Sequence, residues 1–227
     1  QLNAINEKLR ELSLRDSLTG MYNRRYLQGV VSERVKSYVK EHTKQDGGRR
    51  VFSPEAEPIG VFLIDIDYFK DINDTYGHAV GDSVLISISK AIKQMLNCDD
   101  VLIRWGGEEF LLVLFSRSTE DYRRFARRVV EEIGSTPVRV SENRVIYKTC
   151  SLGYCEIPLS PEAPELITLE QAIRISDYAL YCAKERGRNC ATRFSLKTID
   201  LDEEARRSLG NLSKSDFNEE FFEIEYL

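Results

Sequence analysis

Histidine is scarce in this chain of 227 residues, His42 and His78 being the only two. An imidazole-based zinc site or a Ser-His-Asp triad therefore has little material to draw on. The five cysteines (Cys98, Cys150, Cys155, Cys182, Cys190) include no C-x-x-C pair, which argues against a metal held by sulfur. Their odd number argues for reduced thiols and a cytoplasmic setting. No apolar run approaches the roughly 20 residues that span a bilayer, and no signal peptide is visible, so a soluble chain without membrane contact is expected. The sequence also lacks a basic excess, with 32 Lys and Arg against 37 Asp and Glu. Residues 195 to 227 hold nine acids and four bases, a net of 4 − 9 = −5 that equals the whole-chain value. The remaining body is formally neutral and offers no electrostatic case for binding nucleic acid.

What is present is acid placed at strand ends. Arg104-Trp105-Gly106-Gly107-Glu108-Glu109-Phe110 precedes the apolar run Leu111 to Phe115. Gly106 and Gly107 between two apolar runs predict a hairpin, since both tolerate the positive φ of a tight turn and leave room for a ligand over the backbone. Glu108 and Glu109, read as neighbours on a strand, point to opposite faces, so at most one is expected to face a given centre. Upstream, the apolar run Ile59 to Ile64 ends in Asp65, Ile66 and Asp67, the pattern of a buried strand with charge at the sheet rim. If the two strands are neighbours, Asp65 and one glutamate converge. Oxygen ligands of that kind suit Mg2+, which takes its remaining ligands from water and substrate phosphates, and so imply a nucleotide. Each piece alone is more often structural; the combination is what points to chemistry.

The rest of the chain reads as follows. Leu2, Ile5, Leu9 and Leu12 have a/d spacing. They fit a short coiled-coil stem, and equally an amphipathic helix lying on its own domain. The start at Gln1 is read as that of a fragment, with a sensory domain expected upstream. A helix is predicted from Asn23 to about Lys40, then a loop or surface insertion over 41–58, rich in Gly, Pro and charge. Apolar repeats predict helices over 79–96, 119–134 and the segment Leu169 to Ala183, which Gly187 ends. A long strand is expected over 144–155. The order suggests an α+β fold whose central sheet is mainly antiparallel and flanked by helices. Phe222, Ile224 and Tyr226 alternate with Glu223 and Glu225, a pattern that fits an edge strand or a charged disordered tail.

The two acidic strand ends together resemble the GGDEF family of diguanylate cyclases, here in a Gly-Gly-Glu-Glu-Phe form. Three further blocks match in order: Asp16 to Arg25 (DSLTGMYNRR), Asp65 to Asp82 (DIDYFKDINDTYGHAVGD), and Asp177 to Lys184 with Gly187-Arg188-Asn189. Motifs in series are far more specific than one short match. The resemblance implies a stem over 1–14, a catalytic domain over 15–194 with a fold similar to the palm of nucleotide cyclases and polymerases, and an acidic extension over 195–227.

The resemblance also implies roles. Asp65, the Ile66 carbonyl and Glu108 are expected to bind two Mg2+ ions, with Mn2+ as an alternative. Glu108 and Glu109 are the catalytic candidates, Glu108 as acceptor of the hydroxyl proton. Phe69 belongs to the substrate-binding set, Lys70, Lys184 and Arg188 are matched to the GTP phosphates, and Asn73 and Asp82 to guanine. A carboxylate accepts from guanine N1–H and N2–H2, which adenine does not offer together, so Asp82 argues against ATP. His78 lies between these two and lines the same pocket or serves structure alone. Cyclic di-GMP synthesis then requires a homodimer of facing domains. One departure stands out: the Arg-x-x-Asp product-inhibition site of many members reads Asn97-Cys98-Asp99-Asp100 here, keeping Asp100 but losing the arginine fork. Two other classes remain open, a nucleotide receptor without turnover and a structural dimerisation module.

Overall fold

The computed structural model describes residues 13–197 and 222–227. Its centre is the apolar run noted above. Strand β3, Ile59–Ile66, has all eight residues buried, so both faces of the sheet must be covered. Its side chains alternate between two cores: Val61 and Leu63 enter one, Phe62, Ile64 and Ile66 the other.

The first core is closed by two helices. Helix α1 comprises Arg24–Tyr26, a π-helical stretch Leu27–Val31 and Ser32–Glu41; it buries Leu27, Val31, Val35 and Val39. The last helix, Leu169–Glu185 (α5 below), starts on a Thr168–Gln171 capping box and buries Ala172, Ile173, Ala179 and Leu180. The second core is closed by α2 (Phe69–Tyr76), α3 (His78–Gln94) and α4 (Thr119–Ser135).

Among the described residues the sheet has six strands. Beside β3 lie β5 (Glu109–Leu114) and β8 (Cys150–Ile157), both antiparallel to it. Outside β5 lies β4 (Val101–Gly106); outside β8 lie β9 (Ala191–Leu196) and β10 (Phe222–Tyr226), giving the order β10-β9-β8-β3-β5-β4. Among the described strands only β8 and β9 run parallel, so the expected mainly antiparallel α+β sheet is the one observed.

Two local expectations need correction, one helix went unread, and one open alternative is decided. Residues 41–58 are not simply a loop, because β1 (Thr43–Asp46) and β2 (Arg49–Phe52) form a hairpin across Gly47-Gly48, both at positive φ. The long strand over 144–155 is two strands: β7 (Arg144–Ile146) pairs only with β6 (Val138–Ser141), and β8 begins at Cys150. Helix α2 was hidden because Tyr68 takes a left-handed conformation (φ 55°) that turns the chain straight from strand into helix. The alternating end of the chain is a strand, and β9 itself runs across residue 194. The stem over residues 2–12 lies outside the described residues. Among those described, no helix is long and apolar enough to cross a membrane, and none of the five cysteines forms a disulfide.

Candidate active site

The hairpin of β4 and β5 does not turn where the glycine pair suggested. A register shift between Arg104 and Gly106 leaves Gly106 as the last residue of β4, and the two turn residues are Gly107 and Glu108. Only Gly107 has positive φ, at 41°. Arg104 holds this turn from beneath: its guanidinium donates to the Gly107 carbonyl at 3.0 and 3.2 Å and to both oxygens of Asp16 at 3.1 and 3.2 Å.

The register of β3 against β5 sets Asp65 opposite Glu109. Because Glu108 occupies the turn rather than a strand position, it is not thrown to the far face. Asp65 and Glu108 interact electrostatically, and so do Glu109 and Asp65. Asp65 is thus within electrostatic reach of both glutamates, Glu109 from across the strand pair and Glu108 from the turn.

Burial raises the pKa of Asp65, helped by the negative charges of Glu108 and Asp67 and opposed by Lys184, whose Nζ lies 2.9 Å from Asp65 Oδ2. Glu109 is likewise raised, chiefly by burial and then by Asp65 and Asp177, against the pull of Lys184 and Arg24. Lys184 rises from the last turn of α5 to reach this cluster. Several carboxylates against one paired ammonium leave local negative charge that a cation would relieve.

Among the described residues no three His, Cys, Asp or Glu side chains form a ready metal cage. The donors that are present, hard carboxylates at the end of a strand with the Ile66 main chain beside them, fit Mg2+, which keeps waters and borrows phosphate oxygens. They do not fit a metal that wants a complete nitrogen or sulfur shell.

A second group of predicted residues gathers at the junction of α2 and α3. Phe69 is buried, Lys70 exposed and Asn73 half-buried on α2, while His78 and Asp82 are exposed on α3. The two helices approach closely because residue 81 is glycine: a Cβ there would fall far inside 3.0 Å of Asn73 Oδ1 and 3.2 Å from Phe69 Cζ. Asn73 is thus fixed beside the turn that carries Asp82.

Arg188 follows α5 with φ 68°, and its guanidinium lies 4.8 Å from the centre of the Tyr68 ring. Its loop is tied to the strand end by Asp67. That buried carboxylate accepts from Thr149 Oγ1 and Ser151 Oγ, each at 2.7 Å, and from the Asn189 amide at 3.1 Å.

Sequence reasoning passed over Asp67, Asp177 and Arg24 as site residues. Asp177 stands seven residues before Lys184, two turns up the same helix face, which is a readable signal. Arg24 donates through Nε to the Trp105 carbonyl and stacks 4.3 Å over its ring; nothing in its local sequence announces that partner. Asp100 is engaged internally: Arg117 grips both its oxygens at 2.7 and 2.5 Å, and the Phe115 and Asn97 amides donate to it as well. Its side chain is fully buried. A cavity of about 280 Å³ beside it is lined by Asn97 together with Arg117, Arg124 and Arg128.

Fold and site together define an α+β domain whose acidic centre lies where the central strand β3 meets the turn of the β4–β5 hairpin at the sheet's edge. The chain belongs to the GGDEF family, whose model, described as diguanylate cyclase, GGDEF domain, matches residues 13–190. It is 36% identical over 180 residues to the response regulator PleD of Caulobacter vibrioides, covering 79% of this chain and 36% of PleD. To diguanylate cyclase DosC of Escherichia coli it is 33% identical over 174 residues, 77% of this chain and 34% of DosC. The chain therefore spans about a third of the length of these curated relatives. Among solved structures, diguanylate cyclase SiaD of Pseudomonas aeruginosa, in complex with its activator SiaC, superposes with a TM-score of 0.65 at 32% identity, over 85% of this chain and 66% of that one.

Proposed function

We propose that this domain is a diguanylate cyclase that condenses two GTP into cyclic di-GMP and releases two pyrophosphates. The observation that carries the reading is the β3–β5 register, which sets Asp65 against Glu109 beside the Glu108 turn, with Lys184 entering from α5.

Asp65, Glu108 and the Ile66 carbonyl would hold the metal, Mg2+ or alternatively Mn2+. When bound, it lowers the pKa of the attacking 3′-hydroxyl and neutralises charge on the departing pyrophosphate. Glu108 accepts the hydroxyl proton. The half-exposed Glu109 adds negative charge that favours a cation at the centre. Lys70, Lys184 and Arg188 bind the β and γ phosphates, Lys184 exchanging its Asp65 partner for phosphate oxygen. Asn73 and Asp82 read the guanine edge, with Phe69 packed beneath them and His78 alongside.

One domain binds one GTP, so the reaction runs between two domains in a homodimer, each 3′-hydroxyl attacking the other's α-phosphate. This reading includes a regulatory domain that holds the pair together through residues 2–12, which raises the effective concentration of the half-sites. The setting is the cytoplasm, where GTP is supplied.

The test is to incubate the chain at high concentration with GTP and Mg2+, beside Glu108→Ala, and to identify products by mass spectrometry. Cyclic di-GMP from the parent and none from the variant supports the cyclase and Glu108 in its chemistry. GTP binding without product, even after fusion to a dimerising helix, favours a receptor instead. Absence of GTP binding refutes both.

A further inference from the structure

The loop that carries Arg188 has an unusual backbone. Gly187, Arg188 and Asn189 have φ of 115°, 68° and 50° in succession. Two of these residues carry a Cβ, and non-glycine residues in the left-handed region persist only where their surroundings over-determine them. From the inside, Asp67 supplies one restraint through the Asn189 amide.

The end of α5 supplies another, its Ala183 carbonyl accepting from the Arg188 amide at 3.1 Å, and β8 a third, its Leu152 amide donating to the Cys190 carbonyl at 3.0 Å; further restraints come from a strand beyond the family match. Strand β10 pairs along β9 from Phe222↔Leu196 to Tyr226↔Thr192. The ladder then continues one residue further: the Leu227 amide donates to the Ala191 carbonyl at 2.8 Å, and the Ala191 amide to the Leu227 carbonyl at 3.3 Å. Ala191 is two residues after Asn189. On the other flank of the loop, the Arg186 guanidinium stacks 4.1 Å from the centre of the Tyr226 ring. The strand is itself anchored at both ends of its length. Phe222 is buried against Phe194, ring centres 5.6 Å apart, and Glu225 accepts from Arg123 Nε of α4 at 2.9 and 3.0 Å.

We propose that Tyr226 and Leu227 are positioning residues that clasp residues 186–191 and so fix Arg188 for the substrate phosphate; the inference rests on the phosphate-binding role given to Arg188 above. Neither residue touches substrate. They act by gripping the two flanks of a strained loop whose centre carries the guanidinium.

The experiment compares Tyr226→Ala with Tyr226→Phe, which keeps the ring under Arg186. Two readouts are taken, amide hydrogen exchange over residues 186–191 without nucleotide, and KM and kcat for GTP. Tyr226→Ala should speed exchange at Asn189 and Ala191 and raise KM roughly two- to fivefold with kcat little changed, the size that one surface cation–π contact converts to. Tyr226→Phe should restore both. In an Arg188→Ala background, Tyr226→Ala should raise KM no further, whereas a general structural defect would still add. Unchanged exchange overturns the clasp whatever the activity; faster exchange with unchanged KM, or full additivity with Arg188→Ala, overturns its role in positioning. If the parent forms no cyclic dinucleotide, the cyclase reading fails by itself, and the Kd of a fluorescent GTP analogue replaces KM in the same comparison. If the parent binds no GTP, the positioning role falls with that reading, while exchange still decides whether the clasp exists.

Discussion

Gly81→Ala separates substrate reading from folding more cleanly than any change in the acidic cluster. An added Cβ would lie far inside 3.0 Å of Asn73 Oδ1, and only 3.2 Å from Phe69 Cζ. Asn73 Oδ1 must retreat by about 1 Å or more to recover ordinary contact, beyond the few tenths of an ångström over which a hydrogen bond stays sound. The obstructing atom ends a flexible side chain, so little backbone has to move. Residue 81 is inside a helix, where alanine is favoured over glycine by about 0.5–1 kcal/mol, offsetting much of the residual crowding. The thermal midpoint should thus change little. Losing one hydrogen bond to guanine costs about 0.5–1.5 kcal/mol, so KM for GTP should rise about two- to tenfold while kcat is held. Steady-state kinetics on the parent, Gly81→Ala, Asn73→Ala and the double variant checks the origin of the effect. Because the alanine acts by displacing Asn73, it should add nothing once Asn73 is gone. An unchanged KM in Gly81→Ala, or full additivity in the double variant, refutes the reasoning.

Other consequences are equally specific. Glu109→Gln should stabilise the metal-free domain near neutral pH. The raised pKa of Glu109 means that the folded state holds its proton more tightly than the unfolded one, so parent stability falls as pH rises from the ordinary glutamate range through the raised value. Urea unfolding at several pH values should show the advantage of the variant disappearing in acid, and a constant difference would contradict the assignment. Arg104→Lys removes the fork that joins Asp16 to the Gly107 carbonyl and should lower kcat more than it raises KM, by letting the Glu108 turn wander. A raised KM with unchanged kcat would instead indicate weaker ground-state binding. Asp100→Ala strips the partner from the largely buried Arg117 and should cost about 3–5 kcal/mol in denaturant unfolding. For the same reason Asp100 has no free lone pairs for a ligand, so product inhibition through this site should be weak, and calorimetric binding of cyclic di-GMP in the micromolar range there would refute that.

Legibility in the sequence followed the length scale of the signal. The buried run of β3, the amphipathic helices and a mainly antiparallel sheet rest on patterns repeated over many residues, and each was readable; that the two acidic strands are neighbours was left as a condition. The candidate site residues came from a resemblance in series, and the structure adds two juxtapositions: a register that puts Asp65 against Glu109, and a glycine at 81 that admits Asn73. What was not readable turned on single residues. One bulge before Gly106 moved the hairpin turn by a residue and put Glu108 in the turn instead of on the strand. One left-handed residue, Tyr68, converted what looked like a strand end directly into α2.

These misreadings cluster for a physical reason. The left-handed Tyr68, Arg188 and Asn189, the buried Asp65 and the crowded carboxylates each break a local rule that the rest of the chain obeys. Such violations cost stability and survive only where surrounding elements force them, and they are expected where function requires them. Here the forcing comes from distant sequence: Thr149 and Ser151 hold Asp67, Asp16 braces the Arg104 that holds the Gly107 turn, and β10 helps hold the loop of Arg188 from beyond the family's own boundary. A local pattern contains none of these partners, so the same contacts that make the site competent also hide its geometry from a reading of the sequence.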